Sequence, residues 1–196
     1  MQQQIILIPQ GELIFYPNCF SKSEADNFFR VFRDKIQWEQ KHIRIFGKKH
    51  PQARLTAWYA DEGKSYTYSN LKWEPLPWIA ELSQIKKEVE KVAQNSFNSV
   101  LLNLYRNGSD SMGWHSDDEP ELGKNPLIAS VSFGEVRRFH LKHKSDRSVR
   151  RIRLNLSHGS LLIMAGSTQH FWQHQIPKTK RVVEPRINLT FRTIKG

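Results

Sequence analysis

Two stretches of the chain repeat apolar residues at the three- and four-residue spacing of a helix. In the first, "SKSE" at 21–24 has the spacing of a capping box and is followed by Ala25, Phe28, Phe29, Phe32 and Ile36. The second follows "PLP" and repeats Trp78, Ile79, Leu82, Ile85, Val89 and Val92, with lysine and glutamate between them. These patterns predict one helix over about 22–36 and another that ends before Asn98.

From about residue 98 the pattern changes to short apolar runs that are rich in β-branched residues and separated by Gly, Asn, Asp and Pro. The runs are "SVLLNLY", "LIASVSFG", "RRFHLKH", "RIRLNL", "GSLLIM", "HFWQHQI" and "RINLTFR". An extended, aromatic-rich stretch, "RLTAWYADEGKSYTYSN", lies in the first half. At least seven strands predict an antiparallel sandwich, barrel or jelly roll. The expected fold is therefore mainly β within the α+β class, a β-sandwich backed by two helices from the N-terminal half.

The length and composition fit one globular domain with a strongly basic surface. The chain has 196 residues without repeat or linker, so we expect a single domain over 1–196. Thirty Lys and Arg against 19 Asp and Glu give a net charge of +11. The basic residues cluster in "KHIRIFGKKH", "LKHKSDRSVRRIR" and "KTKR", which favours a phosphate backbone as partner. A basic protein without such a partner is the alternative.

The sequence predicts a protein that stays inside the cell. No apolar run approaches the roughly 20 residues of a membrane span, and the first residues lack the pattern of a signal peptide. A single cysteine, Cys19, fits a reducing compartment. We therefore expect no membrane partner and an intracellular location, cytoplasmic in a bacterium and nuclear in a eukaryote.

The first candidate for chemistry is "GWHSDDE" at 113–119, which concentrates acids around one histidine. In an extended segment the side chains of His115 and Asp117 point the same way and can reach one point in space. One imidazole and one carboxylate are two-thirds of the facial triad that holds Fe(II) in non-haem oxygenases. By itself the motif is weak evidence, because loops favour aspartate and an ordinary surface turn is the alternative.

A third ligand has several candidates downstream. His174 stands out because "FWQHQIP" places it in an apolar run, although a buried core histidine is an equal alternative there. His140 and His143 lie among Lys and Arg, where a solvated or phosphate-facing position is more natural. His158 in "LSHGS" resembles a turn residue, and His170 is a candidate to support a ligand.

The stretch "PRINLTFR" at 185–192 places unusual charge on one strand face. As a strand it puts Arg186, Asn188, Thr190 and Arg192 on one side and Ile187, Leu189 and Phe191 on the other. Two arginines pointing into a sandwich are costly unless an anion meets them, and a guanidinium group binds carboxylates in a bidentate fashion. An iron triad beside two such arginines points to 2-oxoglutarate as the coreactant.

These motifs, with "NLYRNGSDSMGWHSDDE", "SVSFG" and "HGSLLIM", resemble the AlkB family of Fe(II)/2-oxoglutarate-dependent dioxygenases, above all its duplex-DNA repair members. The resemblance runs from about residue 45 to 194. It implies a double-stranded β-helix, or jelly roll, with 1–97 supplying the helices and nucleotide-recognition strands and 98–196 the catalytic core. It implies that iron is held by His115, Asp117 and His174, and 2-oxoglutarate by Asn103, Tyr105, Arg186, Asn188 and Arg192, with O₂ as second cosubstrate.

The resemblance also implies a set of substrate-binding residues. "RIFGKK" resembles a finger inserted into DNA, with Phe46 as the wedge beside Gly47 and Lys48, although an exposed hairpin aromatic is an alternative. Tyr68 would stack on a flipped base, with Tyr66 and Thr67 close to it and Asp118 organising the pocket. Arg137 and Arg138 are further candidates for contact with the strand.

The implied activity is oxidative removal of N-alkyl groups from flipped bases of the 1-methyladenine and 3-methylcytosine type. Formaldehyde would be released, and 2-oxoglutarate would be converted to succinate and CO₂. The expected partner is duplex DNA with alkylated bases, and the expected state is a monomer. The alternatives are an RNA demethylase or protein hydroxylase of the same family, a zinc hydrolase that uses the same three ligands, and a catalytically silent nucleic-acid-binding protein.

Overall fold

A computed structural model describes residues 2–45, 48–64, 66–68 and 71–195, and leaves the side chains of 43–49 and 65–73 outside that description. The strands are β1 (Gln4–Ile8), β2 (Gly11–Tyr16), β3 (His42–Ile45), β4 (Lys48–Pro51), β5 (Leu55–Ala60), β6 (Tyr66–Tyr68), β7 (Leu71–Trp73), β8 (Ser99–Tyr105), β9 (Met112–His115), β10 (Ile128–Gly134), β11 (Arg137–His143), β12 (Ile152–Leu156), β13 (Ser160–Ala165), β14 (Trp172–Ile176) and β15 (Arg186–Arg192). The helices are α1 (Lys22–Lys35), α2 (Ala80–Ala93) and the short α3 (Thr168–Phe171).

The two longer helices begin and end where the sequence predicts. The capping box of α1 is formed, because the Ser21 side chain accepts a hydrogen bond from the Glu24 backbone N–H and the Glu24 carboxylate accepts one from the Ser21 N–H. Helix α2 ends at Gln94, whose φ of 48° is the left-handed conformation that terminates helices. Both helices bury one face, so the predicted periodicity is confirmed.

Two antiparallel sheets form the sandwich. The large sheet has seven strands in the order β1-β2-β13-β10-β15-β8-β5, and the small sheet has four in the order β12-β11-β14-β9. All seven predicted runs of the second half contain strands, which confirms the mainly β sandwich with a jelly-roll arrangement. Strands β1, β2 and β5 of the large sheet come from the first 97 residues.

Two apolar clusters fill the two sides of the large sheet. One lies between this sheet and the helices and includes Phe28, Phe32, Leu82, Ile85 and the apolar residues of β15. The other lies between the two sheets and includes residues of β11 and β14 on the opposing sheet. Every residue of β15 is buried, so its second, polar face lies in the space between the sheets.

The first part of the chain contains strands that the sequence pattern did not predict. β1 and β2 form a hairpin, and β2 pairs with β13 along the large sheet. β3 and β4, which contain Arg44, Ile45, Lys48 and Lys49 of "RIFGKK", pair in antiparallel fashion, and Phe46 and Gly47 fall outside the described residues. Among the helices of the described chain, none is long and apolar enough to cross a membrane.

Candidate active site

Three side chains with metal-ligating atoms converge between the sheets. His115 ends β9, Asp117 follows two residues later, and His174 lies directly opposite His115 on β14. The ligand atoms of the three residues lie within 4.8 Å of one another, and the two imidazole rings are 4.2 Å apart between centroids. The structure therefore brings together the three residues that the sequence singled out.

Contacts with neighbouring groups orient both imidazoles. The Nδ1 atom of His115 is 2.9 Å from the carbonyl oxygen of Gly113, so a proton on Nδ1 leaves Nε2 as the electron-pair donor. The His174 ring stacks on Phe139 at 5.2 Å, and its Nε2 lies 3.8 Å from Oδ2 of Asp117. Each imidazole is thus held in place, His115 by a backbone carbonyl group and His174 by the Phe139 ring.

The protonation states suit a cation. Burial lowers the pKa of His174 to about 3, and His115 adds to that shift while Asp117 opposes it. Burial also lowers the pKa of His115. For Asp117, burial is the largest influence and raises the pKa, but Arg192, His174 and His115 together bring it well below its usual value. At neutral pH the site therefore presents two neutral imidazoles and one carboxylate, which are the metal-binding forms.

Asp117 has hydrogen-bond partners at one carboxylate oxygen and at its backbone N–H, and its other carboxylate oxygen has none among the described residues. Its Oδ1 accepts a hydrogen bond of 2.7 Å from Nη2 of Arg192, and its backbone N–H donates to Oε1 of Gln169 at 2.9 Å. Its Oδ2 atom is buried and meets no hydrogen-bond donor within the described part of the chain. Such an orphaned carboxylate oxygen is costly unless a cation meets it, so the donor set fits one metal ion.

A polar wall of β15 and β8 lies beside this cluster. Arg186 pairs with Tyr105 across the two strands, and Asn188 pairs with Asn103. All four side chains line the same cavity as the ligand cluster, together with Arg192. The predicted alternation along β15 is thus confirmed, since Ile187, Leu189 and Phe191 pack on the helix side.

Arg186 is a buried cation with free hydrogen-bonding capacity. Its Nη2 donates to Oγ of Ser132 at 2.9 Å, while Nε and Nη1 are buried and reach no acceptor among the described residues. Burial lowers the pKa of Arg186 to about 10, with Tyr105 opposing that shift. A buried guanidinium group with open donors inside a cavity fits a carboxylate, because the hydrogen bond between the two groups is charge-assisted.

The sequence pattern did not identify two residues that shape this site. Arg54, just before β5, lines the cavity and donates from Nε to Oδ1 of Asn103 at 2.7 Å. Gln169, in α3, holds the backbone of Asp117 as described above. An arginine directly before the apolar run "LTAWYA" is a signal for Arg54, whereas Gln169 lies 52 residues from Asp117 and has none.

The predicted substrate residues are less completely described. Phe46 and Gly47 lie outside the described residues, and for Lys48, Tyr66, Thr67 and Tyr68 the structure gives only the backbone, in β4 and β6. Asp118 is exposed and does not line the cavity. Its carboxylate pairs with Nζ of Lys144 at 2.8 Å, at the edge of the site.

Four further expectations can be compared with the structure. His158 lies in a turn, as predicted. His143 is buried and bonded to Gln10 and the Asp146 N–H, so the expectation of a solvated or phosphate-facing side chain is wrong. His170 is exposed, and the side chain of its neighbour Gln169 accepts the Asp117 N–H. Arg137 is also buried, and its guanidinium group donates to the carbonyl groups of Asn107, Asp110 and Pro177.

Comparison with known proteins agrees with this arrangement. Residues 12–192 match the model of the 2OG-Fe(II) oxygenase superfamily. Alpha-ketoglutarate-dependent dioxygenase alkB homolog 3 of Homo sapiens is 42% identical over 201 residues, which cover 97% of this chain and 70% of the relative. DNA oxidative demethylase ALKBH2 of Homo sapiens is 42% identical over 188 residues, which cover 91% of this chain and 72% of the relative.

A solved structure gives the same fold. "The structure of OsALKBH1" superposes with a TM-score of 0.68 at 17% identity and covers 97% of this chain and 100% of that chain. The chain belongs to the AlkB family of Fe(II)/2-oxoglutarate-dependent dioxygenases. It is therefore an oxidoreductase that uses Fe(II), 2-oxoglutarate and O₂. The two relatives are equally identical to the chain, so identity does not rank one above the other.

Proposed function

We propose that the protein is a DNA repair dioxygenase that removes N-alkyl groups oxidatively from flipped bases in duplex DNA. The observation that carries the proposal is the buried cluster of His115, Asp117 and His174 in a chain 42% identical to a DNA oxidative demethylase. The net charge of +11 supports a polyanionic substrate. The substrates would be of the 1-methyladenine and 3-methylcytosine type, and the protein would act as a monomer.

In this proposal His115, Asp117 and His174 hold the iron. Bound Fe(II) supplies the redox chemistry that couples conversion of 2-oxoglutarate to succinate and CO₂ with hydroxylation of the N-alkyl carbon. The protein contributes neutral imidazoles at physiological pH, because burial depresses the pKa of both histidines. Arg192 and Gln169 keep the Asp117 carboxylate and backbone in position, which fixes the geometry of the donor set.

The polar wall positions the coreactant. Arg186 would donate to a carboxylate of 2-oxoglutarate, beside Tyr105. Asn103, Asn188 and Arg192 complete the wall. Asn188 is itself fixed, because its Nδ2 donates to Oγ of Ser130 and to the carbonyl of Val131. A rigid, preformed wall lowers the entropic cost of holding the coreactant in a reactive position.

The flipped base would be held by residues of β6 and of the segment that joins β3 to β4. Tyr68 would stack on it, with Tyr66, Thr67 and Asp118 close to its edge, and Phe46 beside Gly47 and Lys48 would fill the vacated space in the duplex. The hydroxylated N-alkyl group then breaks down, because the carbon bears both a hydroxyl group and the base nitrogen. The C–N bond cleaves and its electron pair returns to the ring nitrogen, the hydroxyl proton is lost to solvent, and formaldehyde leaves.

The test is formaldehyde release from oligonucleotides that carry 1-methyladenine or 3-methylcytosine, with Fe(II) and 2-oxoglutarate at fixed salt. We expect turnover by the native protein and a loss of at least 100-fold in His174→Ala, with His170→Ala as the matched control because that histidine is exposed. Absence of turnover on every methylated DNA would refute the proposal. Salt is held constant because phosphate contacts make such affinities salt-dependent.

The alternative enzymes of the same family differ in the macromolecule they oxidise. A panel of methylated single and double strands of DNA and RNA, together with basic peptides, separates them. We expect the highest kcat/KM on methylated duplex DNA. A strong preference for single-stranded RNA would identify an RNA demethylase, and activity on peptides alone would identify a protein hydroxylase.

A further inference from the structure

Arg137 is a buried cation at the start of β11 that faces the space between the two sheets. Phe139 and Leu141, the next residues on the same face of β11, belong to the apolar cluster between the sheets. Arg137 is only 3% exposed. A charge in such a position is costly unless acceptors surround it, so its partners indicate what the residue does.

The partners of Arg137 are backbone carbonyl groups beside the two strands that carry the candidate histidine ligands. Its Nη1 donates to the carbonyl oxygen of Asn107 at 3.2 Å, and its Nη2 donates to those of Asp110 at 3.0 Å and Pro177 at 2.8 Å. Asn107 and Asp110 lie in the turn between β8 and β9, and Pro177 directly follows β14. One guanidinium group therefore joins the segment before β9 to the end of β14.

The pairing of β9 with β14 is irregular next to this guanidinium group. His115 lies opposite His174 and Met112 lies opposite Ile176, so β9 has one more residue than β14 between the two pairs. A bulge of this kind interrupts the backbone ladder. Arg137 bridges the strands at the end with Met112, across the bulge from the histidine pair. Its support therefore acts on the turn before β9 more than on the histidines.

Arg137 also contacts the tyrosine that lines the predicted coreactant cavity. Its guanidinium carbon lies 5.7 Å from the centroid of the Tyr105 ring, and the guanidinium carbon of Arg186 lies 5.2 Å from the same centroid. Tyr105 and Arg186 line the cavity, whereas Arg137 lines a cleft outside it. Arg137 is thus placed to influence a ligand of the cavity through Tyr105, without touching the ligand itself.

The turn that follows Tyr105 has two arginine anchors. On the outer side, Arg106 donates from Nε and Nη2 to the two carboxylate oxygens of Asp110, and the Arg106 side chain is 43% exposed. On the inner side, Arg137 holds the carbonyl oxygens of Asn107 and Asp110. Of these two arginines, Arg137 is the one for which a described contact reaches the Tyr105 ring. The pair therefore allows support of the turn to be separated from support of the ring.

We propose that Arg137 is a positioning residue for 2-oxoglutarate, which fixes the Tyr105 ring and the turn behind it before the coreactant binds. The inference rests on the proposed placement of 2-oxoglutarate beside Tyr105 and Arg186. It adds a residue outside the cavity that determines how tightly the coreactant is held. A side chain that is already fixed loses little freedom on binding, so removal of its support lowers affinity although no contact with the ligand is lost.

The charge of Arg137 has an effect of its own on the same ligand. 2-Oxoglutarate is an anion, and a buried cation near its site attracts it at a distance. An effect of charge alone persists in Arg137→Lys and adds to the effect of a substitution at Tyr105. Positioning is impaired in Arg137→Lys, because an ammonium group does not reproduce the planar fork that reaches three carbonyl oxygens. Positioning also requires Tyr105, so its effect does not add to that of a Tyr105 substitution.

The test is isothermal titration calorimetry of 2-oxoglutarate into protein saturated with Mn(II), for Arg137→Met, Tyr105→Phe and the double variant. We expect each single substitution to weaken binding about tenfold, and the double variant to lose about tenfold where independent effects would give about 100-fold. Arg137→Lys should bind at least about threefold more weakly than the native protein. If Arg137→Met does not fold, Arg137→Lys takes its place in the double variant.

The matched control is Arg106→Met, which removes one charge and one anchor from the same turn. Its affinity for 2-oxoglutarate should stay within about twofold of native, because the lost pair is half-exposed. Equal weakening in Arg106→Met and Arg137→Met, additive losses in the double variant, or native affinity in Arg137→Lys would overturn the inference.

The same measurements separate failure of the inference from failure of the proposed site. Native affinity in Tyr105→Phe would refute the placement of 2-oxoglutarate beside Tyr105 and, with it, the role of Arg137. Weakened binding in Tyr105→Phe together with native affinity in both Arg137 variants would refute the role of Arg137 alone.

Discussion

Arg192 donates a hydrogen bond of 2.7 Å from Nη2 to Oδ1 of Asp117, although the two residues are 75 positions apart. Both side chains are almost completely buried. The contact joins β15 of the large sheet to the segment after β9 of the small sheet. It therefore fixes the carboxylate that would bind the metal relative to the wall that would hold 2-oxoglutarate.

Replacement of Arg192 should lower the free energy of unfolding of the protein, even without metal or coreactant. Arg192→Ala leaves the buried Asp117 carboxylate without its guanidinium partner, and we expect a loss of about 3 kcal/mol in the free energy of unfolding. Urea denaturation of the metal-free protein measures this loss. As a control, Arg33→Ala breaks an exposed pair with Asp34 and should cost less than about 1 kcal/mol. Equal effects of the two substitutions would contradict the structural role of the buried pair.

The two buried histidines should make the metal-free protein sensitive to acid. Their pKa values are lower in the folded state than the usual 6.5, to about 3 for His174. The unfolded chain therefore binds more protons below pH 6.5, and stability is lost as the pH falls from there toward 3. Each histidine contributes a slope of at most about 1.4 kcal/mol per pH unit.

This acid sensitivity is measured by urea unfolding of the chelator-treated protein at pH 7.5 and 5.0. We expect a clearly lower free energy of unfolding at pH 5.0. The variant His174→Gln should show a smaller difference between the two pH values, because one of the titrating groups is gone. An unchanged pH dependence in that variant would show that His174 is not the buried neutral group that the structure describes.

Arg186 should be needed for the coreactant and not for folding. It is 1% exposed, and two of its nitrogens reach no acceptor among described residues. Arg186→Met removes a buried charge with incomplete partners, so we expect unchanged or higher stability without 2-oxoglutarate. The same substitution should weaken 2-oxoglutarate binding by at least 100-fold, because a buried charge-assisted contact is lost.

Thermal unfolding with and without 1 mM 2-oxoglutarate in the presence of Mn(II) measures both effects. The native protein should gain stability with the coreactant, because a ligand that binds only the folded state shifts the equilibrium. Arg186→Met should show no such gain. A strongly destabilised Arg186→Met protein, or one that is still stabilised by 2-oxoglutarate, would contradict the assignment.

Gln169 should support metal binding from outside the ligand set. Its side chain accepts the Asp117 N–H, so Gln169→Leu leaves that buried donor unsatisfied while nearly preserving volume. We expect Mn(II) affinity to fall between about 10- and 100-fold, which isothermal titration calorimetry measures. His170→Ala changes the exposed neighbouring residue and should leave the affinity unchanged. Native affinity in Gln169→Leu would exclude this supporting role.

The sequence predicted those features that depend on local periodicity. The alternation along "RINLTFR" placed Arg186 and Arg192 on the inner face, and the structure has them there because a strand repeats every two residues. Both longer helices followed from their apolar spacing and the Ser21 capping box. The convergence of His115 with His174 is different, because it depends on the pairing of β9 with β14 and was expected mainly from the family resemblance.

Features that depend on distant partners were missed or misjudged. The β1–β2 hairpin was not predicted, because a short apolar run is ambiguous without its neighbour β13. Arg137 lies among basic residues in the sequence, yet three backbone carbonyls surround it in the fold. His143 was placed in solvent for the same reason, although its ring stacks on Phe171. Burial of a polar residue is decided by partners that the local sequence does not contain.

The central claim is that three side chains from two strands and a loop hold one metal ion next to Arg186. Anomalous diffraction from crystals grown with Mn(II) and 2-oxoglutarate tests it most directly. We expect a single manganese peak bonded to His115, Asp117 and His174, with a 2-oxoglutarate carboxylate on Arg186. A peak bound elsewhere, or His174 rotated away from the metal, would contradict the account.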